Sequence, residues 1–160
     1  MSQQPTKVTV RETGDGTFTQ EVKSGSHIFI TDEPEDVGGL DSGPAPYDML
    51  LAALGSCTSM TIRMYANQKK WPLEGVTVAL THHKEVGADN VKRDVITREI
   101  TLEGPLDDMQ RQRLLEIANK CPIHKTLESK PEITSTLAPA KPQGNAPAET
   151  AKPPHKPPAP

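Results

Sequence analysis

The stretch Met49-Leu50-Leu51-Ala52-Ala53-Leu54-Gly55-Ser56-Cys57-Thr58-Ser59-Met60-Thr61-Ile62 contains no charged residue, and it lies between Asp48 and Arg63. Pro46 follows a run of turn residues and is well suited to an early helical position, so the pattern predicts a helix from about Tyr47 to Gln68. A helix that is uncharged all round is typical of a protein core. Its 14 uncharged residues are too few for a membrane span, which needs at least ~18. We therefore expect a buried central helix.

Three short strand patterns precede this helix. Alternating apolar and polar residues, separated by glycine-containing turns, predict strands at Thr6 to Arg11, at Thr17 to Val22 and at His27 to Ile30. From Thr31 to Pro46 acidic residues, glycines and prolines dominate, which is typical of a surface loop.

Two long strands and two further helices follow the central helix. The strands are predicted at Val76 to Glu85 and at Val91 to Leu102, around a turn at 87–90. Asp107 and Asp108 mark the start of an amphipathic helix, because negative charge is favoured in a first helical turn; Arg111 and Arg113 are expected on its solvated face. A short helix at Ile123 to Leu127 and a last strand at Glu132 to Leu137 complete the order β-β-β-α-β-β-α-α-β. This order predicts an α+β fold with antiparallel sheets.

Composition divides the chain into a domain at 1–137 and a disordered Pro/Ala/Lys-rich tail at 138–160. The tail holds eight of the sixteen prolines and has no aliphatic residue larger than alanine, so it cannot bury enough apolar surface to fold. The formal net charge of −3 argues against a nucleic-acid partner, which requires clustered positive charge. With no apolar targeting run and no span, we expect a soluble cytoplasmic protein with no membrane partner.

The chain has two cysteines, and Cys121 stands in the motif Cys121-Pro122-Ile123-His124. Pro122 suits the first position of the following helix, which makes Cys121 its N-cap residue. The positive end of a helix favours a thiolate there, and His124 is placed to add a hydrogen bond or a charge. The alternative is a plain helix cap followed by a surface histidine.

Cys57 lies midway along the central helix. Residues three and four positions away, such as Ala53, Leu54 and Met60, are apolar, so we expect Cys57 to be buried in surroundings that disfavour a thiolate. The small residues around it, including Gly55, would let another element approach closely. The two thiols therefore fit either a redox pair that meets in space or two unrelated core cysteines.

A zinc site is the third alternative for the thiols. Cys57, Cys121, His124 and either His82 or His83 would supply the ligands. Structural zinc ligands usually occur as close pairs in the sequence, and neighbouring histidines on a strand point to opposite faces. We therefore expect no metal and no cofactor.

Two motifs resemble the OsmC-like family, which includes the organic hydroperoxide resistance proteins. Residues 46–57 resemble the start of that family's central helix, and Lys120-Cys121-Pro122-Ile123-His124 resembles its second cysteine motif. The resemblance covers about residues 6–137. It is closest to a subgroup with Pro-Tyr-(Asp/Glu) before the helix, here Pro46-Tyr47-Asp48.

The resemblance implies an OsmC-like fold in which antiparallel sheets surround two central helices of an intertwined homodimer. It also implies that Cys57 and Cys121 approach each other. In the peroxidase members the first cysteine is oxidised by the peroxide, the second condenses with it to a disulfide, and an external dithiol reduces that disulfide. The implied activity is thiol-dependent reduction of a small hydrophobic peroxide, in defence against oxidative stress.

The chain departs from the peroxidase members at two positions. Tyr47 occupies the place of a glutamate, and the N-terminal hairpin turn lacks their thiolate-stabilising arginine, for which Arg11 is the nearest candidate. The catalytic residues that the resemblance implies are therefore Cys57, Cys121 and Arg11. The alternative function is non-enzymatic binding of a hydrophobic small molecule at the dimer interface, which Tyr47 favours.

Overall fold

The computed structural model of the chain describes residues 6–139, and its fold is α+β, as predicted. Three strands come first, followed by a long helix, a two-stranded hairpin and two shorter helices. The elements are β1 (Val8–Glu12), β2 (Gln20–Ser24), β3 (His27–Thr31), α1 (Pro46–Lys69), β4 (Gly75–Val86), β5 (Lys92–Glu103), α2 (Asp108–Ala118) and α3 (Pro122–Glu128). Within this range no helix is long and apolar enough to cross a membrane.

Two separate antiparallel sheets form, one from β1-β2-β3 and one from β4-β5. In the long hairpin Val78 lies opposite Ile100 and His82 lies opposite Ile96. The predicted turn is confirmed: the Asn90 N–H donates to the Gly87 carbonyl at 2.9 Å. Asn90 has a φ of 60°, a left-handed conformation that asparagine tolerates better than most residues.

Helix α1 begins and ends where its sequence signals predict. Pro46 occupies the first turn, and the Asp48 carboxylate accepts a hydrogen bond from the Ala45 N–H at 3.1 Å. The helix stops at Lys70, whose φ of 55° is left-handed. These short-range features set the length of α1 and therefore the positions of Cys57 and its neighbours along the helix axis.

Burial of α1 is confined to one side, so the prediction of a helix buried all round is wrong for the single chain. Its buried residues are Leu54, Gly55, Thr58, Ile62 and Ala66. Met60 and Met64, on the opposite side, are 65% and 72% exposed. An uncharged helix surface lacks ionic groups that need water, but this does not mean that the same chain covers it.

The side of α1 that carries small residues packs on the long hairpin, as the small residues around Cys57 predict. A Cβ atom on Gly55 would lie 2.8 Å from a methyl carbon of Leu80 on β4, closer than real contacts allow. Glycine at this position therefore sets how closely the helix approaches the sheet.

The hydrophobic core lies between α1, α2 and the base of the hairpin. It is built from Ile62, Ala66, Leu73, Leu106, Leu114 and Ala118, with Tyr65 and Trp71 packed against it. The Arg111 guanidinium donates to the backbone carbonyls of Leu102 and Gly104, at 2.8 and 3.0 Å. The prediction that Arg111 lies on a solvated face is therefore wrong: three of its donors bind backbone carbonyls at the end of β5 and just after it.

Arg113 also differs from the prediction. Its Nε donates to the Tyr65 hydroxyl at 3.1 Å, and one terminal nitrogen pairs with Glu116 at 2.6 Å. It is therefore tied to α1 and not simply solvated.

The predicted last strand is absent from the described residues. Residues 131–139 form no regular secondary structure, and Ile133 and Leu137 are 85% and 100% exposed. A strand needs a neighbouring edge to satisfy its backbone groups, and this segment pairs with no strand of its own chain among residues 6–139. The predicted tail lies outside the described residues from 140 onward.

Asp32 organises the loop between β3 and α1. Its side chain is 2% exposed, and its carboxylate accepts hydrogen bonds from the Thr19 hydroxyl and from the N–H groups of Glu33, Leu40 and Ser42. Burial acts to raise the pKa of Asp32, but these hydrogen bonds together outweigh burial and lower the pKa below its ordinary value. The ionised carboxylate therefore fixes how the chain enters α1.

We expect Asp32→Asn to lower the melting temperature at pH 7, because an amide cannot accept the same set of hydrogen bonds. A carboxylate whose pKa is lowered on folding stabilises the fold above its unfolded pKa of ~3.9, and this contribution is lost as the pH falls through the folded value. The difference in melting temperature between Asp32→Asn and the wild-type protein should therefore be largest above about pH 4 and should shrink below it. Thermal unfolding against pH measures this, with Asp36→Asn in the exposed part of the loop as control. An equal melting temperature for Asp32→Asn at pH 7 would contradict the role of Asp32.

Candidate thiol site

Cys121 is the N-cap residue of α3, as its sequence predicts. Its sulfur accepts a hydrogen bond from the backbone N–H of His124 at 3.3 Å, and Pro122 occupies the first helical position. The side chain is fully buried. The motif therefore places a thiol at the start of a helix and out of contact with solvent.

Thr58 joins Cys121 to the central helix. The Thr58 hydroxyl oxygen lies 3.6 Å from the Cys121 sulfur and 2.8 Å from the Leu54 carbonyl oxygen. A hydroxyl has one proton to donate. When it donates to Leu54, the Cys121 S–H can donate to the Thr58 oxygen; when Cys121 is a thiolate, the hydroxyl can turn and donate to the sulfur.

Arg98, on β5, connects the same hydroxyl to the ends of α2 and α3. One terminal nitrogen donates to the Thr58 hydroxyl at 2.8 Å and to the Ala118 carbonyl at 3.4 Å. The other donates to the Asn119 side-chain oxygen at 2.9 Å and to His124 Nδ1 at 3.1 Å. All four partners act as acceptors, because an arginine can only donate, and none of them is a carboxylate.

His124 has a contact at each ring nitrogen. Nδ1 lies 3.1 Å from a terminal nitrogen of Arg98, and Nε2 lies 3.2 Å from a carboxylate oxygen of Glu128. The sequence allowed His124 to add a hydrogen bond or a charge beside Cys121. The structure contains a hydrogen bond to the Cys121 sulfur, and it comes from the backbone N–H of His124.

Cys57 is partly exposed, whereas Cys121 is buried, and both thiols are free. The prediction that Cys57 is buried by its neighbours is therefore wrong for the single chain. Helical spacing identified its neighbours along α1 but not which side of the helix the rest of the chain covers. Cys57 lies beside Thr58 at the edge of the buried side, with Leu50, Leu54 and Thr61 on the same flank at helical spacing.

Arg11 pairs with a residue of its own sheet within one chain. It lies on β1, its side chain is 66% exposed, and its Nε donates to the Glu21 carboxylate at 2.8 Å. Among the described residues this is its one side-chain hydrogen bond. Its assignment to the catalytic set stays a prediction.

Tyr47 stacks on a histidine of the long hairpin. Its ring centroid lies 4.1 Å from that of His82, with 11° between the planes. His82 in turn contacts Asp94 at 2.9 Å, and Lys84 contacts the same carboxylate at 2.6 Å. The side chain of His82 is 13% exposed and that of His83 48%, in agreement with their predicted opposite faces.

A cavity of about 520 Å³ lies between Tyr47 and the Arg98 cluster. Its apolar wall comes from α1, β5 and α3, and its polar wall carries two histidine–carboxylate pairs. The lining residues are Tyr47, Leu50, Leu54, His82, Asp94, Ile96, Arg98, His124, Leu127 and Glu128. Arg98 and His124 therefore touch both the cavity and the residues around Cys121. Across residues 6–139, no group of three or more His, Cys, Asp or Glu side chains is arranged to hold a metal ion.

The sequence-based reasoning did not select Arg98. Its one local signal is position along β5: Ile96, Arg98 and Ile100 alternate, so the arginine lies on the half-buried face of the strand. A charged residue on such a face must find partners inside the protein. The identity of those partners depends on contacts across 20 to 40 residues of sequence.

The fold and the site together define an α+β protein with two free thiols, one buried where α3 meets α1 and the other partly exposed on α1. The family model described as OsmC-like protein matches residues 39–136. The chain therefore belongs to the OsmC-like family, in agreement with the resemblance of its two cysteine motifs. No match was found among curated proteins.

Solved structures share the fold. A putative osmotic stress induced and detoxification response protein from Psychrobacter arcticus 273-4 is 26% identical, with a TM-score of 0.64 over 78% of this chain and 89% of that one. An organic hydroperoxide resistance protein OsmC from Legionella pneumophila is 19% identical, with a TM-score of 0.61 over 79% and 91%. The organic hydroperoxide resistance protein OhrB of Bacillus subtilis is 20% identical, with a TM-score of 0.55 over 76% and 89%.

We expect Thr58→Val to destabilise the protein by about 1–3 kcal/mol, because it leaves a partly buried guanidinium and a buried thiol without their shared partner. Chemical denaturation at pH 7 measures the free energy of unfolding. Thr61→Val is the matched control: its hydroxyl also bonds back to a helix carbonyl, that of Cys57 at 2.7 Å, but no charged group is among its partners. If both variants lose the same free energy, the Arg98 contact adds nothing to stability.

Proposed function

We propose that the protein is a thiol-dependent peroxidase that reduces organic hydroperoxides through Cys57 and Cys121. The observation that carries the proposal is the contact between the Cys121 sulfur and Thr58, the residue next to Cys57 on α1. Membership of the OsmC-like family supports it, as do the fold shared with two organic hydroperoxide resistance proteins and the Psychrobacter protein named for detoxification.

The proposed reaction has three steps. The Cys57 thiolate attacks the outer oxygen of the hydroperoxide, the O–O bond breaks, and the alkoxide takes a proton to leave as an alcohol. Cys121 then attacks the sulfur of the Cys57 sulfenic acid, forming a disulfide and releasing water. An external dithiol reduces this disulfide by exchange, which restores both thiols and leaves the reductant oxidised.

The burial of the two thiols supports this division of roles. Cys57 is partly exposed and can meet a substrate, whereas fully buried Cys121 cannot meet one without a local opening. A resolving thiol needs access only to the oxidised partner sulfur. The apolar part of the nearby cavity, from Leu50, Leu54, Ile96 and Leu127, favours a substrate with a hydrophobic chain.

The proposal includes a homodimer. The exposed side of α1 carries Met60 and Met64 but no charge between Asp48 and Arg63, and such a surface suits a second copy of the chain. The homodimer is also how Arg11 enters the proposal. Within one chain Arg11 is bound to Glu21, so we propose that it approaches a thiol of the other copy.

The cavity also favours a second candidate function, the non-enzymatic binding of a hydrophobic small molecule. The stacked pair of Tyr47 and His82 closes one wall with a fixed aromatic surface. In such a protein the thiols would be structural, and Cys57 would not be oxidised and reduced in a catalytic cycle. Peroxide consumption separates the two functions.

We expect Cys57→Ser to abolish consumption of an organic hydroperoxide in the presence of excess dithiol. Without the dithiol, Cys121→Ser should still react once, and should accumulate a sulfenic acid on Cys57 that a dimedone-type reagent traps. Peroxide assays and peptide mass mapping measure both, and the wild-type protein should yield a Cys57–Cys121 disulfide after mild oxidation. Undiminished consumption by Cys57→Ser contradicts the peroxidase. A wild-type protein that consumes no peroxide and retains a co-purified apolar compound supports the binding function.

We expect Met60→Glu to shift the protein from dimer to monomer, because it introduces a charge on the uncharged surface of α1, where Met60 is 65% exposed. Sedimentation velocity measures the change. Met109→Glu is the matched control, since Met109 is 83% exposed on α2 and away from that surface, and it should leave the assembly unchanged. A monomeric wild-type protein at micromolar concentration would contradict the homodimer.

A further inference from the structure

Among the arginines of the described residues, Arg98 is distinguished by hydrogen-bond partners that themselves contact the Cys121 sulfur. Arg11, Arg93 and Arg113 pair with carboxylates, and Arg63 and Arg111 bind backbone carbonyls. Two partners of Arg98, Thr58 and His124, contact the Cys121 sulfur themselves. One of these contacts is through a hydroxyl and the other through a backbone N–H.

No carboxylate lies within salt-bridge distance of Arg98 in residues 6–139. Its four hydrogen-bond acceptors are a hydroxyl, a carbonyl, an amide oxygen and an imidazole nitrogen. The guanidinium charge is therefore not neutralised by a direct partner. A single hydroxyl, that of Thr58, separates it from the sulfur.

We propose that Arg98 is the positioning residue of the thiol pair: it holds Thr58 and His124 against Cys121 and keeps a positive charge beside the sulfur for the disulfide-forming step. This inference rests on the proposed pairing of Cys57 with Cys121. It assigns a residue that neither cysteine motif contains, on a strand that contributes no thiol.

The hydrogen bonds indicate how Arg98 acts. The Thr58 hydroxyl accepts from Arg98, so its single proton is free to point to Leu54 or to the sulfur. When Cys121 loses its proton to attack, the sulfur can accept from both the Thr58 hydroxyl and the His124 N–H. Hydrogen bonds to an ionised acceptor are roughly twice as strong as neutral ones, and the adjacent guanidinium polarises the Thr58 hydroxyl in the same direction.

The proton balance follows from the resolving step. Cys121 attacks the sulfur of oxidised Cys57, the S–S bond forms, and the S–O bond breaks. The proton from Cys121 joins the leaving hydroxide as water. Arg98 supplies no proton and forms no covalent bond, so it acts on the geometry and charge of the attacking sulfur.

Diamide tests this inference without any peroxide. A thiolate adds to the azo bond of diamide, and a second thiolate then displaces the reduced hydrazine as the disulfide forms. At diamide concentrations where the rate no longer depends on diamide, the rate of Cys57–Cys121 disulfide formation, followed by mass mapping from pH 5 to 9, reports the attack by Cys121. Arg98→Met removes the charge and the hydrogen bonds at similar length, and Arg98→Lys keeps the charge but loses the fork.

We expect Arg98→Met to form the disulfide about tenfold more slowly at pH 7, with its rate profile displaced to higher pH by about one unit. The rate and the pH profile of Arg98→Lys should lie between those of Arg98→Met and those of the wild-type protein. Thr58→Val should show the same displacement, and it keeps the test decisive if Arg98→Met does not fold. Arg111→Met is the matched control: it removes another multiply bonded arginine, and should lower stability with an unchanged profile.

Two results would overturn the inference. One is an unchanged rate and pH profile in folded Arg98→Met or Thr58→Val; the other is an equal displacement in Arg111→Met, which would reduce Arg98 to a structural role. A wild-type protein that forms no Cys57–Cys121 disulfide with diamide overturns it too. A wild-type protein that forms the disulfide normally but consumes no organic hydroperoxide overturns the proposed peroxidase and leaves the role of Arg98 supported.

Discussion

The hydrogen bonds from Arg98 to Thr58 and His124 hold together the parts of the molecule that carry the thiols. They join β5 to the middle of α1, to the end of α2 and to the first turn of α3. Removing a guanidinium from water is costly unless hydrogen bonds replace its hydration. The positions of its partners are therefore constrained together, and the Cys121 sulfur lies against α1 as a consequence of how one strand residue satisfies its donors.

The placement of the thiols follows from the two sides of α1. One side carries Gly55 and Thr58 and is small enough to pack on the hairpin and on α3. The other carries Met60 and Met64 and is left uncovered by its own chain. Cys57 lies at the boundary between these sides, so its environment is set both by the fold of one chain and by whatever covers the second side. In the proposed homodimer, assembly would thus complete the surroundings of the reactive thiol.

The sequence predicted the features that depend on neighbouring residues. Pro46 and Pro122 mark helix starts, Asp107 caps α2, and the turn at Gly87 to Asn90 closes the hairpin, each through contacts over a few positions. Contacts between distant segments could not be predicted from neighbouring residues. Arg98 meets Thr58 across 40 residues, and Cys121 is buried by elements from both halves of the chain. The segment predicted as a strand at 132–137 pairs with no strand among residues 6–139. Periodicity identifies which residues share a face, whereas burial depends on what covers that face.

The unequal burial of the two thiols sets the order of events in the proposed reaction. A sulfur that is fully enclosed, as Cys121 is, is protected from peroxide until its partner has been oxidised. Partly exposed Cys57 has no such protection, so it must react first. In the proposed disulfide, Cys121 bonds to the residue next to Thr58 on the same helix. The Thr58 hydroxyl also contacts Arg98 and the Leu54 carbonyl, so it keeps hydrogen-bond partners when the Cys121 sulfur bonds to Cys57.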